Sequence, residues 1–140
     1  MTTFSTSRVI PATPDEVFAA FSDPDRLARW WGPNGFTNTF HTFEFKAGGR
    51  WIYTMHSPNG GSPSNESVFE LLAPRKLIIR HTSQPLYRLT IELKPTAGNT
   101  TVFWLQEFDD AEVAKRIEKI VRPANEQNLD RLTAEVVGRV

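Results

Sequence analysis

The chain has 140 residues, enough for one ordinary domain that buries roughly two-thirds of its unfolded surface. Sixteen basic and sixteen acidic residues cancel without long runs of either sign, which argues against a nucleic-acid surface or a polybasic membrane anchor. The absence of cysteine excludes disulfides, thiolate metal sites and thiol catalysis; with no signal-like start and no apolar run of membrane-spanning length, the expected setting is the cytoplasm.

Phe4 to Ile10 reads as a first strand, ended by Pro11. Thr13-Pro14-Asp15-Glu16 then supplies an N-cap, a proline at the first helical position and a glutamate spaced for a capping box, so a short helix is expected to about Ser22. Its buried side would carry Val17, Phe18 and Phe21. Asp23-Pro24 repeats the start signal for a second short helix bearing Leu27, Trp30 and Trp31, closed by Gly32-Pro33-Asn34-Gly35.

From Phe36 to Asp109 apolar residues alternate between short clusters of turn formers, the pattern of six successive antiparallel strands. Parallel pairing is excluded because it needs crossovers of about a dozen residues or more. Period two assigns Phe43 and Phe45, Trp51, Tyr53 and Met55, Phe69 and Leu71, Leu77, Ile79 and His81, Tyr87, Leu89, Ile91 and Leu93, and Val102, Trp104, Gln106 and Phe108 to the inner face. The other face is mostly Lys, Arg, Glu and Thr. Phe103 and Leu105 depart from that polarity, and either a covered outer face or a contact in a homodimer would account for them.

Asp110 to Val140 is the one stretch with a long helical period. Val113, Ile117, Ile120, Val121, Ala124, Asn128, Leu132 and Val136 recur at spacings of three and four and are expected to share one face. Pro123 falls inside this pattern and predicts a kink or a break. The architecture that follows is α+β: a curved antiparallel sheet of six to seven strands wrapped around a long C-terminal helix, a helix-grip. The ten phenylalanines and four tryptophans between the layers suit a ligand pocket and a filled core equally.

The inward polar candidates are His81, Gln106 and Asn128, with His41 of uncertain parity. A buried amide or imidazole needs a partner, so Gln106 and Asn128 are expected either to pair with one another, directly or through water, or to orient a ligand. One of Trp30 and Trp31 should pack under the short helices and the other reach a pocket mouth, because adjacent helical side chains point about 100° apart. The expected lining of a pocket is Trp30, Trp31, Phe36, Phe45, Tyr53, Met55, Phe69, His81, Tyr87, Trp104, Gln106, Asn128 and Leu132. No metal or cofactor site is expected: the three histidines are spread over different strands, and no dinucleotide, phosphate-loop, nucleophile-elbow or zinc-protease motif occurs.

Pro14-Asp15-Glu16-Val17-Phe18, Trp30-Trp31-Gly32-Pro33, Phe43-Glu44-Phe45 with Gly48-Gly49-Arg50-Trp51, and Asn128-Leu129-Asp130-Arg131-Leu132 together carry a resemblance. The chain resembles bacterial proteins similar to the C-terminal domain of the activator of the 90-kDa heat-shock protein ATPase, in the START-like, or SRPBCC, superfamily of polyketide cyclases and ligand carriers. The resemblance implies a helix-grip fold with an apolar cavity between sheet and last helix. Many members carry Gly-Trp shortly before the matching Leu-Asp-Arg-Leu, whereas this chain has Ala124-Asn125. Three functions are therefore open: binding of a small hydrophobic or aromatic molecule, co-chaperone contact with a heat-shock chaperone, and cyclase-type catalysis with His81 or Tyr53 moving a proton.

Overall fold

The computed structural model describes residues 2–138. β1 (Thr3–Ile10) leads into α1 (Pro14–Ser22) and α2 (Pro24–Trp30). There follow β2 (Thr37–Phe43), β3 (Arg50–His56), β4 (Ser64–Ala73), β5 (Lys76–His81), β6 (Tyr87–Thr96), β7 (Asn99–Phe108) and α3 (Ala111–Val137). Every pairing is antiparallel, in the order β1-β7-β6-β5-β4-β3-β2. The expected six-strand meander is present, and β1 extends it by pairing with β7, so the helix-grip reading is correct.

The local start signals act as the sequence predicts. Thr13 accepts the Glu16 N–H, and Glu16 accepts the Thr13 N–H in return, a complete capping box. Asp23 caps α2, which ends at Trp30, so Trp31 stands just beyond the helix as its C-terminal cap. At α3 the adjacent acids Asp109 and Asp110 do different work. Asp110 accepts the N–H groups of Glu112 and Val113, while Asp109 turns away to form a forked ion pair with Arg80.

α3 runs through Pro123 as one helix, so of the kink or break expected there the break is absent. Pro123 and Lys119, whose carbonyl loses its helical donor, are both exposed, so water can satisfy that carbonyl. The buried stripe is also rotated: Ala114, Asn128, Leu129, Leu132 and Val136 are buried, whereas Ile120 is 71% exposed. The segment beyond Gly138 lies outside the described residues.

Two bulges set the sheet's parity. One, between Phe40 and Thr42, leaves His41 exposed and bonded to Thr54; the other, between Phe69 and Leu71, turns Leu71 outward and packs Leu72 against the core instead. Between β2 and β3 the chain folds back so tightly at Gly49 that a Cβ there would overlap the Glu44 carbonyl. That turn delivers Trp51 to the concave face, where it is completely buried.

Candidate functional site

The concave face gathers the large aromatics around Trp31. Its ring centre lies 5.0 Å from that of Trp51 on β3 and 6.0 Å from that of Trp104 on β7. Trp51 in turn stacks on Tyr53 at 4.3 Å and on Phe69 at 5.7 Å. Trp51, Ile91, Leu129 and Leu132 have no exposed surface, so no water-sized gap adjoins them. Where a pocket was one of two expectations, side chains fill the space, and Trp31 is the ring that bridges the two sides of the sheet.

The residues expected to line a pocket therefore separate into groups. Trp31, Tyr53, Phe69, Trp104 and Leu132 meet in this cluster, together with Trp51. Phe45 packs beside it on Phe69 and Phe18, and Met55 lies half-buried against it. Trp30 faces the other way, onto Phe21, and donates its indole N–H to the Ala20 carbonyl at 2.9 Å. The expected division of labour between the two tryptophans holds for Trp30, but Trp31 is buried in the interior and not placed at a mouth. Phe36 is half-buried at the end of the connection that follows α2.

Three buried side-chain polar atoms have no hydrogen-bond partner among the described residues: Trp51 Nε1, Trp104 Nε1 and Asn38 Oδ1. The two indoles belong to the concave face, where Ser67 is the cross-strand neighbour of Trp51. Leaving such groups unsatisfied costs about 1–3 kcal/mol each. Tyr53 sits between them. Burial pushes its phenol up to about 12, against the hydrogen bonds it makes with the Trp31 and Ser67 side chains, so it remains a neutral hydroxyl.

α3 holds the Trp31–Phe36 connection by side chain to backbone bonds. Asn128 Oδ1 accepts the Gly32 N–H at 3.0 Å, and Gln127 Oε1 accepts the Asn34 N–H at 3.1 Å. The Arg131 guanidinium donates to the carbonyls of Arg29, Trp31, Gly32, Pro33 and Phe36 at 2.6–3.3 Å. Gly32 has φ +98°, and a Cβ there would press on Met55, which explains why glycine follows the tryptophan pair. Asn128 is thus a clamp, and it does not pair with Gln106. Gln106 instead accepts from Asn125 Nδ2 at 3.0 Å, beside a gap of about 30 Å³ between β1 and α3, the size of one water. Asn125 is the residue standing where many relatives were expected to have tryptophan.

Replacing Asn128 with leucine should lower stability by about 1–3 kcal/mol, since the buried Gly32 N–H loses its acceptor. Urea unfolding measures this, and an unchanged midpoint would show that the amide is not structural.

His81 is buried and stacks on Tyr87 at 4.4 Å between ring centres. Its Nδ1 donates to the Pro85 carbonyl at 2.7 Å, so in the neutral ring Nε2 is an acceptor, which the Ser83 hydroxyl reaches at 3.4 Å; Asn65 Oδ1 lies 2.9 Å from it. The ring is thus held by its Nδ1–H and by its stacking on Tyr87. Burial holds the imidazole below its ordinary value of 6.5, outweighing the Pro85 and Ser83 bonds that pull it up. As pH falls the unfolded chain therefore takes up this proton first. The stability contributed by neutral His81 is complete above about pH 6.5 and is lost as pH drops through the lower folded value. Urea midpoints should decline on acidification, and the decline should be shallower in His81→Gln.

Outside the grip, His41 and His56 bond to Thr54 and Thr39 on the wet face, and among the described residues no three His, Cys, Asp or Glu side chains group to hold a metal ion. No described helix is long and apolar enough to cross a membrane. The convex face carries a shallow groove of about 360 Å³ walled by Thr90, Glu92, Lys94, Phe103 and Leu105.

A seven-stranded antiparallel sheet gripping one long helix, with two short helices after its first strand, defines a helix-grip domain of SRPBCC type. The family model described as Activator of Hsp90 ATPase homolog 1-like protein matches residues 11–136, and the chain belongs to that family. No curated protein matches it. Among solved structures it is similar to a protein from Arthrobacter aurescens, 23% identical with a TM-score of 0.88 over 98% of this chain and 87% of that one. An AHSA1 protein from Silicibacter pomeroyi is 19% identical, with a TM-score of 0.77 over 99% of both chains. A Rhizobium loti protein is 27% identical, with a TM-score of 0.70 over 95% of each. The first two are likenesses of fold.

Proposed function

We propose that this domain binds a small hydrophobic or aromatic molecule between the sheet and α3. The observation that carries this reading is the presence of unpartnered indole N–H groups on Trp51 and Trp104 inside an otherwise apolar and aromatic interior. Sites for small molecules combine such apolar walls with a few polar groups that set orientation. Removal of ligand surface from water, at about 25 cal/mol per Å² before the costs of association, would drive binding. A thermal-shift screen of the intact chain against apolar and aromatic metabolites tests it. At least one compound should raise the unfolding midpoint in a concentration-dependent way, and failure throughout the screen would refute the proposal.

A second reading, contact with a heat-shock chaperone, draws on the exposure of Val9 (55%) and Phe103 (43%) on the side of the sheet away from α3. Under this reading immobilised protein retains the chaperone and Phe103→Asp abolishes retention. Equal retention by the variant would count against it.

A further inference from the structure

We infer that the interior is built to receive an uncharged molecule bearing a hydrogen-bond acceptor, a carbonyl oxygen above all, between Trp51 and Trp104 in the place now filled by the Trp31 ring. This inference rests on the binding reading above and adds the ligand's chemistry to it. An indole N–H donates and accepts nothing, so the partner missing at Trp51 and at Trp104 must be an acceptor. The contrast with Trp30 is internal to the molecule, since that indole N–H is satisfied by a backbone carbonyl.

Charge selects against a carboxylate or phosphate. No Lys, Arg, Asp or Glu is among the buried residues of this core, and half-buried Arg131, which reaches the Trp31 carbonyl, has its guanidinium committed to main-chain carbonyls. An anion would enter without a free counter-charge, which is strongly unfavourable in an apolar interior.

The space is defined by Trp31. Its ring lies 5.0 and 6.0 Å from those of Trp51 and Trp104, so a flat molecule of similar size in its place would face both donors' rings. Trp51 and Trp104 are fixed in strands, whereas Trp31 stands beyond the end of α2. The hydrogen bonds to the Trp31 peptide, from Asn38 and Arg131, reach its carbonyl. Rotation about the side-chain bonds gives up the bond between the Trp31 and Tyr53 side chains but breaks neither of these, so the connection stays clamped while the ring leaves.

The test compares 1-tetralone with tetralin, bicyclic probes that differ in one carbonyl, on ¹⁵N-labelled wild-type protein. The four indole N–H signals are assigned by single Trp→Phe variants. The expected result is that tetralone binds about tenfold more tightly than tetralin. It should also move the Trp51 and Trp104 N–H signals downfield while leaving that of Trp30 in place. In Trp104→Phe, which keeps an aromatic ring and loses the donor, the preference should shrink while tetralin binding persists; Trp51→Phe serves the same purpose if the first variant does not fold. Equal binding of both probes without these shifts would overturn the acceptor inference and leave the binding reading standing. Binding of neither would overturn both.

Discussion

Trp31→Ala is expected to lower the stability of this domain by about 3–5 kcal/mol, the range for removing a large aromatic from a packed core. Its ring touches Trp30, Trp51 and Trp104 and is the piece that joins the β3 side of the concave face to the β7 side. Truncation leaves a hole walled by rings, and such apolar holes stay dry and accept small aromatics. Urea unfolding with and without added indole should therefore reveal two effects, a large loss and its partial recovery by the added ring. A loss below about 1 kcal/mol would mean that the neighbours close over the gap and that Trp31 does not join the two sides of the concave face.

Arg131→Ala should cost about 3 kcal/mol or more, and Arg131→Lys about 2. The guanidinium serves five backbone carbonyls, four in the connection between α2 and β2 and that of Arg29 at the end of α2. A lysine keeps the charge but concentrates its donors at one point, so it can reach only part of that ring of acceptors. Burial pulls the Arg131 pKa down without bringing it near neutrality, so the clamp remains charged under ordinary conditions. Chemical denaturation of the two variants gives the ranking; equal stability of wild type and alanine variant would show that water replaces the clamp without loss. Because the same bonds carry Trp31, both variants should also broaden the Trp31 indole signal.

Much of this arrangement was legible in the residues. The capping box at Thr13, the proline-led starts of α1 and α2, and the inward series from Trp51 to Phe108 follow directly from local rules of capping and alternation. What was not legible has identifiable causes. The bulge after Phe69 reverses parity, so Leu71 points outward despite its place in the alternation. Along α3, spacings of three and four admit several overlapping stripes, and Ile120 belongs to one that faces solvent, while Ala114 and Leu129 belong to the buried one. Pro123 is tolerated because of where it faces, which depends on how the helix is seated.

The site was only partly legible for a different reason. Asn128 stood out as an amide in an apolar stripe, but its partner is the backbone N–H of Gly32. Arg131 carried no signal at all beyond its place in the Leu-Asp-Arg-Leu motif, because all five of its acceptors are main-chain carbonyls that leave no side-chain signature. Trp51 was placed on the inner face without being counted among the lining residues, and Ser67 lay hidden on the same face as a small polar residue. Asn125 was noticed as a departure from the expected Gly-Trp pair, and its bond to Gln106 gives that departure a structural role.

On the proposed reading the grip interior, and not the outer face, meets the ligand. Isotope-filtered nuclear Overhauser spectroscopy on the complex with a compound from the thermal screen tests this most directly. Contacts from the bound molecule to Trp51, Tyr53, Trp104 and Leu132, with the Trp31 ring displaced, are the predicted result. Contacts confined to Phe103, Leu105 and Thr90, with the interior rings unmoved, would contradict it.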